Sequence, residues 1–275
     1  MVALSDGVTT TSKVEDIRES LKPLIVVALS DGLAASRKLV YLNKQVSYDI
    51  FFFRKVINMY KPNDSEKEIF RQRIIKGAQL FNKYLLNKQF IVVTENFEIY
   101  KLTFRKKEFL HLTGLCVDVG ENMFYDLCKE SKISRNNISN YQRHNKNTLM
   151  TKTCNIEKLI KFIYADVSTN LVLKDFVMSS APNRPFPCAI ENPKENMVIA
   201  FTKTSDLLLK AKSLRKKTDN EIYASSHLII AIFSQEKDEL LADKVVYIKN
   251  TQDLLQCPNI EKFINSEILH VFTKL

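Results

Sequence analysis

Glycine is scarce and tryptophan is absent: the 275 residues contain five Gly and no Trp. Neither a glycine-rich phosphate loop nor a propeller-type repeat is available to such a chain. The five cysteines, Cys116, Cys128, Cys154, Cys188 and Cys257, are never closer than twelve positions. That spacing excludes a C-x-x-C pair for zinc or redox chemistry, and the odd, scattered set fits buried, reduced thiols in a cytoplasm. Met1-Val-Ala-Leu-Ser-Asp6 has no cationic segment followed by an apolar one, so no secretory signal is expected. The longest apolar runs, such as Leu24 to Leu29, fall far short of the roughly 20 residues a membrane span needs. H-E-x-x-H, P-loop, G-x-S-x-G and dinucleotide signatures are missing, and no clustered Asp/Glu set suggests a two-metal centre. No metal and no cofactor are therefore expected, and no membrane partner.

What is present is a globular composition, 45% hydrophobic and 26% charged, in a chain long enough for a sizeable core. Val-Ala-Leu-Ser-Asp-Gly occurs at Val2–Gly7 and again at Val27–Gly32, without a continuing repeat. Leu39, Leu42, Val46, Ile50, Phe53, Ile57 and Tyr60 step by three or four, one face of a long helix that Pro62 stops. Ser65 and Glu68, at capping-box spacing, open a second helix with Phe70, Ile74, Ala78, Phe81 and Leu85 as its buried stripe. The period then shortens. Phe90–Thr94 and Ile99–Phe104 flank a Glu95-Asn96-Phe97 turn and predict a hairpin. Helical spacing returns at Glu121–Cys128 and at Ile156–Ile163. Asn196–Thr202, Ile222–Phe233 and Lys244–Ile248 read as strands, after a proline-rich stretch, 182–193, expected as a surface loop. Helices first and strands later predict an α+β protein, with a helical segment 1–64 and a second domain 65–275.

The charge is uneven. Forty-one Lys+Arg against 31 Asp+Glu give a net +10, which favours a polyanionic partner. Between Ser131 and Ile156 there is no carboxylate, while Lys132, Arg135, Arg143, Lys146 and Lys152 alternate with asparagines and Tyr141. A second run holds Lys203, Lys210, Lys212, Arg215, Lys216 and Lys217, and a third Lys101, Arg105, Lys106 and Lys107. One such run is ordinarily a solvated face; three together predict a phosphate-tracking surface that binds RNA.

The sharpest local feature is Lys101-Leu-Thr-Phe-Arg-Lys-Lys-Glu-Phe-Leu-His-Leu-Thr-Gly114, read as a strand passing through a basic turn into His111-Leu112-Thr113-Gly114. Together with the preceding Phe81–Phe90 helix-to-strand passage and the later Phe124-Tyr125, it resembles the phage-associated branch of the barnase–EndoU–colicin–RelE-like nucleases, over about residues 65–256. The resemblance implies helices followed by a small antiparallel sheet carrying the active site. It implies metal-independent RNA cleavage by attack of the ribose 2′-hydroxyl, tRNA among the candidate substrates, in a cytoplasmic effector of phage or mobile-element type. An antitoxin or immunity protein would be a natural partner. His111 and Thr113 are the positions the resemblance carries over.

Such chemistry needs a base, an acid and cations on the phosphoryl oxygens. His111 is the first candidate because imidazole titrates near neutral pH. Tyr223, Ser225 and His227 share a face of a strand, which makes Ser225 and His227 candidates for the same site, against the alternative of a half-polar solvent face. Arg215, Lys210 and Lys212 are candidates for the phosphorane oxygens, the bidentate guanidinium best suited of the three. His144 reads as an RNA contact. The rival reading is a non-catalytic RNA- or protein-binding regulator that keeps the fold; another is a regulator docking through Phe51-Phe52-Phe53.

Overall fold

A computed structural model describes residues 59–179, 183–204, 208–237 and 239–273. The helix expected from Leu39, the repeated hexapeptide, the Phe51–Phe53 triplet and nearly all of segment 1–64 lie outside those residues. Tyr60 does not end a helix; its carbonyl accepts from Gln142 N at 2.9 Å in an isolated bridge.

Helix α1 spans Asp64–Tyr84. Its capping box is Asn63–Glu66, two residues before the expected Ser65–Glu68 pair: Glu66 N donates to Asn63 Oδ1 at 2.9 Å and Asn63 N to Glu66 Oε2 at 2.8 Å. Glu68 is instead held by Arg71 at 2.8 Å. The expected stripe is the buried face, with Phe70, Ile74, Ala78, Phe81 and Leu85 at 1% exposure or less. The hairpin follows as expected, β1 (Lys88–Thr94) and β2 (Ile99–Thr103) pairing antiparallel through Phe90 and Leu102. Then come α2 (Lys106–Thr113), α3 (Glu121–Lys129) and α4 (Lys146–Asn155). A 3-10 helix, Ile156–Phe162, closes onto α1 at Gly77, where any Cβ would lie 2.5 Å from Ile156 Cγ2.

Six further strands complete the sheet: β3 (Leu171–Phe176), β4 (Phe186–Asn192), β5 (Met197–Lys203), β6 (Leu209–Lys216), β7 (Ser225–Glu236) and β8 (Lys244–Ile248). The short helices α5 (Thr251–Leu255) and α6 (Ser266–Thr273) end the described chain. The α+β expectation holds, but the sheet is not small. Strands pair in the order β1-β2-β6-β5-β4-β3-β7, and β7 returns to β1, which makes a closed seven-stranded barrel. β8 lies outside the ring: Ala231 of β7 faces Val93 of β1 and Ile248 of β8 at once. Nor is the sheet wholly antiparallel, because β2 and β6 run parallel.

The proline-rich stretch is corrected too. Its Phe186–Asn192 part is not a surface loop but a strand with neighbours on both sides. Pro187 is tolerated because it stands outside both ladders: β3 skips from Phe176↔Phe186 to Lys174↔Cys188, and pairing with β5 starts only at Cys188.

One face of the sheet shares a core with α1 to α3, built from Phe90, Val92, Leu102, Ile199, Phe201 and Leu214 against Phe70, Phe81, Phe109 and Tyr125. Beside β1 and β7, Ile91, Val93 and Phe233 pack on Leu254 and Ile264 of the C-terminal segment. Three cysteines are buried as expected, but Cys116 is half-buried and Cys154 exposed. Among the described residues no helix is long and apolar enough to cross a membrane.

Candidate active site in a cationic cleft

The Lys106–Thr113 run is a helix, not the basic turn expected from the sequence. Its amphipathic spacing sorts the motif: Phe109, Leu112 and Thr113 are buried while His111 is exposed on the other side. Phe109 anchors the helix with ring centroids 5.3 Å from Phe81 and 5.4 Å from Tyr125. Gly114 ends it in the left-handed region, φ 72°, its N–H returning to Leu110 O at 3.1 Å. Thr113 turns inward: its hydroxyl donates to Leu110 O at 2.7 Å and accepts from Leu115 N at 3.3 Å, within the helix end rather than at a surface.

The second wall is β6. Ala211 pairs with Phe201 and Ser213 with Ala200, so Lys212 is the extra residue of a β-bulge. A bulge slips the alternation by one. Ala211 and Leu214 stay in the core while Lys212, Ser213, Arg215 and Lys216 all reach the same opening. Without it, Lys212 and Ser213 would face opposite sides.

The third wall is α4. Asn145 caps it by accepting from Thr148 N at 2.9 Å, and Asn147, Thr148, Thr151 and Lys152 present one face. Two ties frame the opening. Lys152 Nζ donates to Leu214 O at 2.8 Å, joining α4 to β6, and Lys210 Nζ lies 3.6 Å from the buried Glu108 Oε1, joining β6 to α2.

Between these walls lies a cleft of about 630 Å³, lined by His111, His144, Asn147, Thr148, Thr151, Lys152, Met178, Lys212, Ser213, Arg215 and Lys216. Four cations and two imidazoles face it, and no lining residue is a carboxylate. Partial burial, then the Lys212 ammonium, holds His111 below the ordinary histidine range. Burial, followed by Lys152 and Arg143, does the same to His144. Burial and the neighbouring Arg215 bring Lys152 down to about 8. Glu121, the first residue of α3, places Oε1 3.3 Å from His111 Nε2 and so orients the ring from outside the cleft. Arg215 is held from behind by Glu221, Nε to Oε1 3.2 Å, whose own carboxyl is raised by burial. The arrangement offers neutral imidazoles as proton acceptors and a dense cationic cradle for a phosphate.

Of the residues singled out from the sequence, His111, His144, Lys152, Lys212, Arg215 and Lys216 meet in this cleft. Lys210 is turned away to Glu108. Ser225 and His227 stand elsewhere, opposite Lys174 and Val172 of β3, with His227 Nδ1 3.9 Å from Glu95. The ring order explains it: β3, β4 and β5 separate β7 from β6 on one side, β1 and β2 on the other. Lys106 pairs with Asp126 at 2.9 Å, Lys132 with Glu130 at 2.8 Å, and Lys146 with Glu66 at 2.7 Å. Arg105 caps α2, Arg135 and Arg143 are exposed, and Tyr141 is exposed with Lys61 Nζ 4.9 Å over its ring. Sequence reasoning missed Glu121, Thr148, Thr151 and Ser213. The 147/148/151/152 spacing behind the Asn145 cap was a readable helical face; the Glu121 contact and the bulge were not.

Among the described residues no group of three or more His, Cys, Asp or Glu side chains gathers as a metal site. The family model described as phage-Barnase-EndoU-ColicinE5/D-RelE like nuclease 4 matches residues 73–251, a span that contains every residue lining the cleft. No curated protein matches the chain, and no solved structure does.

Proposed function

The chain belongs to the phage-Barnase-EndoU-ColicinE5/D-RelE like nuclease 4 family, and from that nuclease-like premise we propose that it cleaves RNA by attack of the ribose 2′-hydroxyl on the adjacent phosphorus. The observation that carries this reading is the cleft lining: Lys152, Lys212, Arg215 and Lys216 beside two imidazoles, with no carboxylate among them. Such a lining attracts a phosphodiester and repels a divalent cation. Cleavage that draws its nucleophile from the substrate suits it.

In this reading His111 is the base. Its depressed pKa keeps it neutral near pH 7, and Glu121 fixes the ring. Lys212 and Arg215 neutralise charge growing on the equatorial oxygens, the guanidinium steadied by Glu221. Thr148, Thr151 and Ser213 supply hydroxyl donors along the same walls. RNA is the proposed partner, with Arg135, Tyr141 and Arg143 as exposed contacts outside the cleft and the half-buried Arg105 beside them in the chain's basic runs. The proposed setting is a cytoplasmic effector of phage or mobile-element type that requires no cofactor and is restrained by an antitoxin or immunity protein.

The test is incubation of the full chain with RNA in EDTA. Fragments ending in 2′,3′-cyclic phosphate and 5′-hydroxyl are expected, with DNA of the same sequence and 2′-O-methylated RNA left intact. Equal cutting of DNA, or cutting only with added divalent metal, would overturn the reading. Tight RNA binding with no product would favour the non-catalytic regulator instead.

A further inference from the structure

We infer that Lys152 is the proton donor to the leaving 5′-oxygen, and not one more phosphate-binding cation; this rests on the RNA-cleavage reading above. None of the three cleft lysines, Lys152, Lys212 and Lys216, has a carboxylate partner among the described residues, and of the three only Lys152 has its ammonium held by a protein acceptor. Lys210 is matched by Glu108, Arg215 by Glu221, Lys146 by Glu66 and Lys106 by Asp126. Lys152 Nζ donates instead to the Leu214 carbonyl at 2.8 Å.

The side chain is clamped along its length. It leaves the last turn of α4 and crosses directly over Gly114, where any Cβ would come within 2.6 Å of Lys152 Cδ and 3.2 Å of His144 Cδ2. With stem and head both fixed, the ammonium spends one of its three N–H groups on Leu214 and keeps two for the cleft. A mobile binding lysine needs no such clamp. A proton donor does, because transfer requires hydrogen-bond reach to one oxygen.

The electrostatics fit. Burial beside Arg215 lowers the amine to about 8. It is therefore mostly protonated near pH 7 yet gives up its proton far more readily than a surface lysine near 10.4. The phosphodiester itself supplies the negative charge that the protein omits.

The step balances. The 2′-oxygen bonds to phosphorus as its proton passes to His111, and the P–O5′ bond breaks as an ammonium proton of Lys152 passes to the departing oxygen. The products are a 2′,3′-cyclic phosphate and a 5′-hydroxyl. Lys152 regains a proton from water and His111 releases one, so no co-reactant is consumed.

Two measurements on the full chain test the assignment. The first is pH-dependent acetylation of Lys152 followed by mass spectrometry, with a 2′-deoxy oligonucleotide as protecting ligand. A midpoint near 8 and protection by the oligonucleotide are expected. The second is kcat against pH for wild type and Lys152→Arg, which keeps the charge but cannot release a proton near neutrality. A fall in kcat of about 100-fold, loss of the wild-type alkaline limb and a KM within a few-fold are expected. If wild type cuts RNA and Lys152→Arg cuts equally well, this assignment alone falls. If wild type cuts no RNA, the reading beneath it falls and takes the assignment with it. Should the variant not fold, the wild-type acetylation decides: a midpoint at the ordinary lysine value, or no protection, overturns it.

Discussion

Gly114 and Lys152 meet face to face: the left-handed residue that ends α2, φ 72°, has its missing side chain replaced by the stem of the lysine, 2.6 Å from where a Cβ would stand. The last letter of His-Leu-Thr-Gly is thus a spatial requirement of the cleft as well as a helix stop.

Replacing Gly114 with Ala should therefore hurt twice. The positive φ alone costs roughly 1–2 kcal/mol, and the added Cβ displaces the Lys152 stem that leads to the Leu214 carbonyl. A melting temperature several degrees lower is expected, with a loss of RNA cleavage larger than the stability loss explains. A variant as stable and as active as wild type would show that the lysine does not need this gap.

His111→Ala should lower cleavage by roughly two orders of magnitude while oligonucleotide affinity changes little. The acid limb of kcat/KM should lie below the ordinary histidine value, because burial and Lys212 depress this group and a base acts only when deprotonated. Glu121→Gln removes a carboxylate that pulls the pKa upward, so the limb should move further toward acid. A limb unmoved in both variants would place the base elsewhere.

Lys210 and Lys212 stand two residues apart on β6 and should fail in opposite ways. Lys210→Met strands the almost fully buried Glu108, a loss on the order of 3 kcal/mol, with RNA affinity nearly intact. Lys212→Ala with Lys216→Ala should leave the melting temperature close to wild type. It should lower the log–log salt slope of single-stranded RNA binding by roughly 1.4, about 0.7 per phosphate contact. Calorimetry and filter binding on both variants check the contrast, and an unchanged slope would remove the cleft from the binding surface.

Glu221 gives a stability prediction with a definite sign. Its folded pKa is raised by burial, so the favourable contribution is complete below the unfolded value near 4.3 and fades as pH rises through the folded pKa. Glu221→Gln should flatten unfolding free energy over that window and cost little at neutral pH, while weakening Arg215 and hence cleavage. Denaturant melts between pH 4 and 7 decide it; parallel curves for the two proteins would contradict the raised pKa.

How far the chain could be read in advance depended on how local each signal was. The α1 stripe and the β1–β2 hairpin depend on neighbours in sequence, and both were legible. The cleft was half legible: His111, His144, Lys152, Lys212, Arg215 and Lys216 could be chosen by charge and residue type, and they converge. Ser225 and His227 were equally good by type, yet barrel order carries β7 away from β6, and order is a property of long-range pairing. Lys210 was misread because its partner Glu108 lies about a hundred positions earlier. The Lys203–Lys217 run was read for its charge and not as a strand, because a bulge at Lys212 breaks the two-residue period that would have marked one. Pro187 hid β4 in the same manner.

The β1–β7 seam has a consequence for the order of assembly. It joins Lys88–Thr94 to residues 229–236, so the ring cannot close until that late strand exists. Every residue lining the cleft lies between those two strands in the chain. A nascent polypeptide will therefore have exposed every cleft-lining residue before the ring that carries them can close, and long-range pairing of this kind is slow to form. Released chains truncated before Ser225 should be readily proteolysed and inert toward RNA. The ribosome finishes the cleft-lining segment well before the seam that closes the ring around it can form.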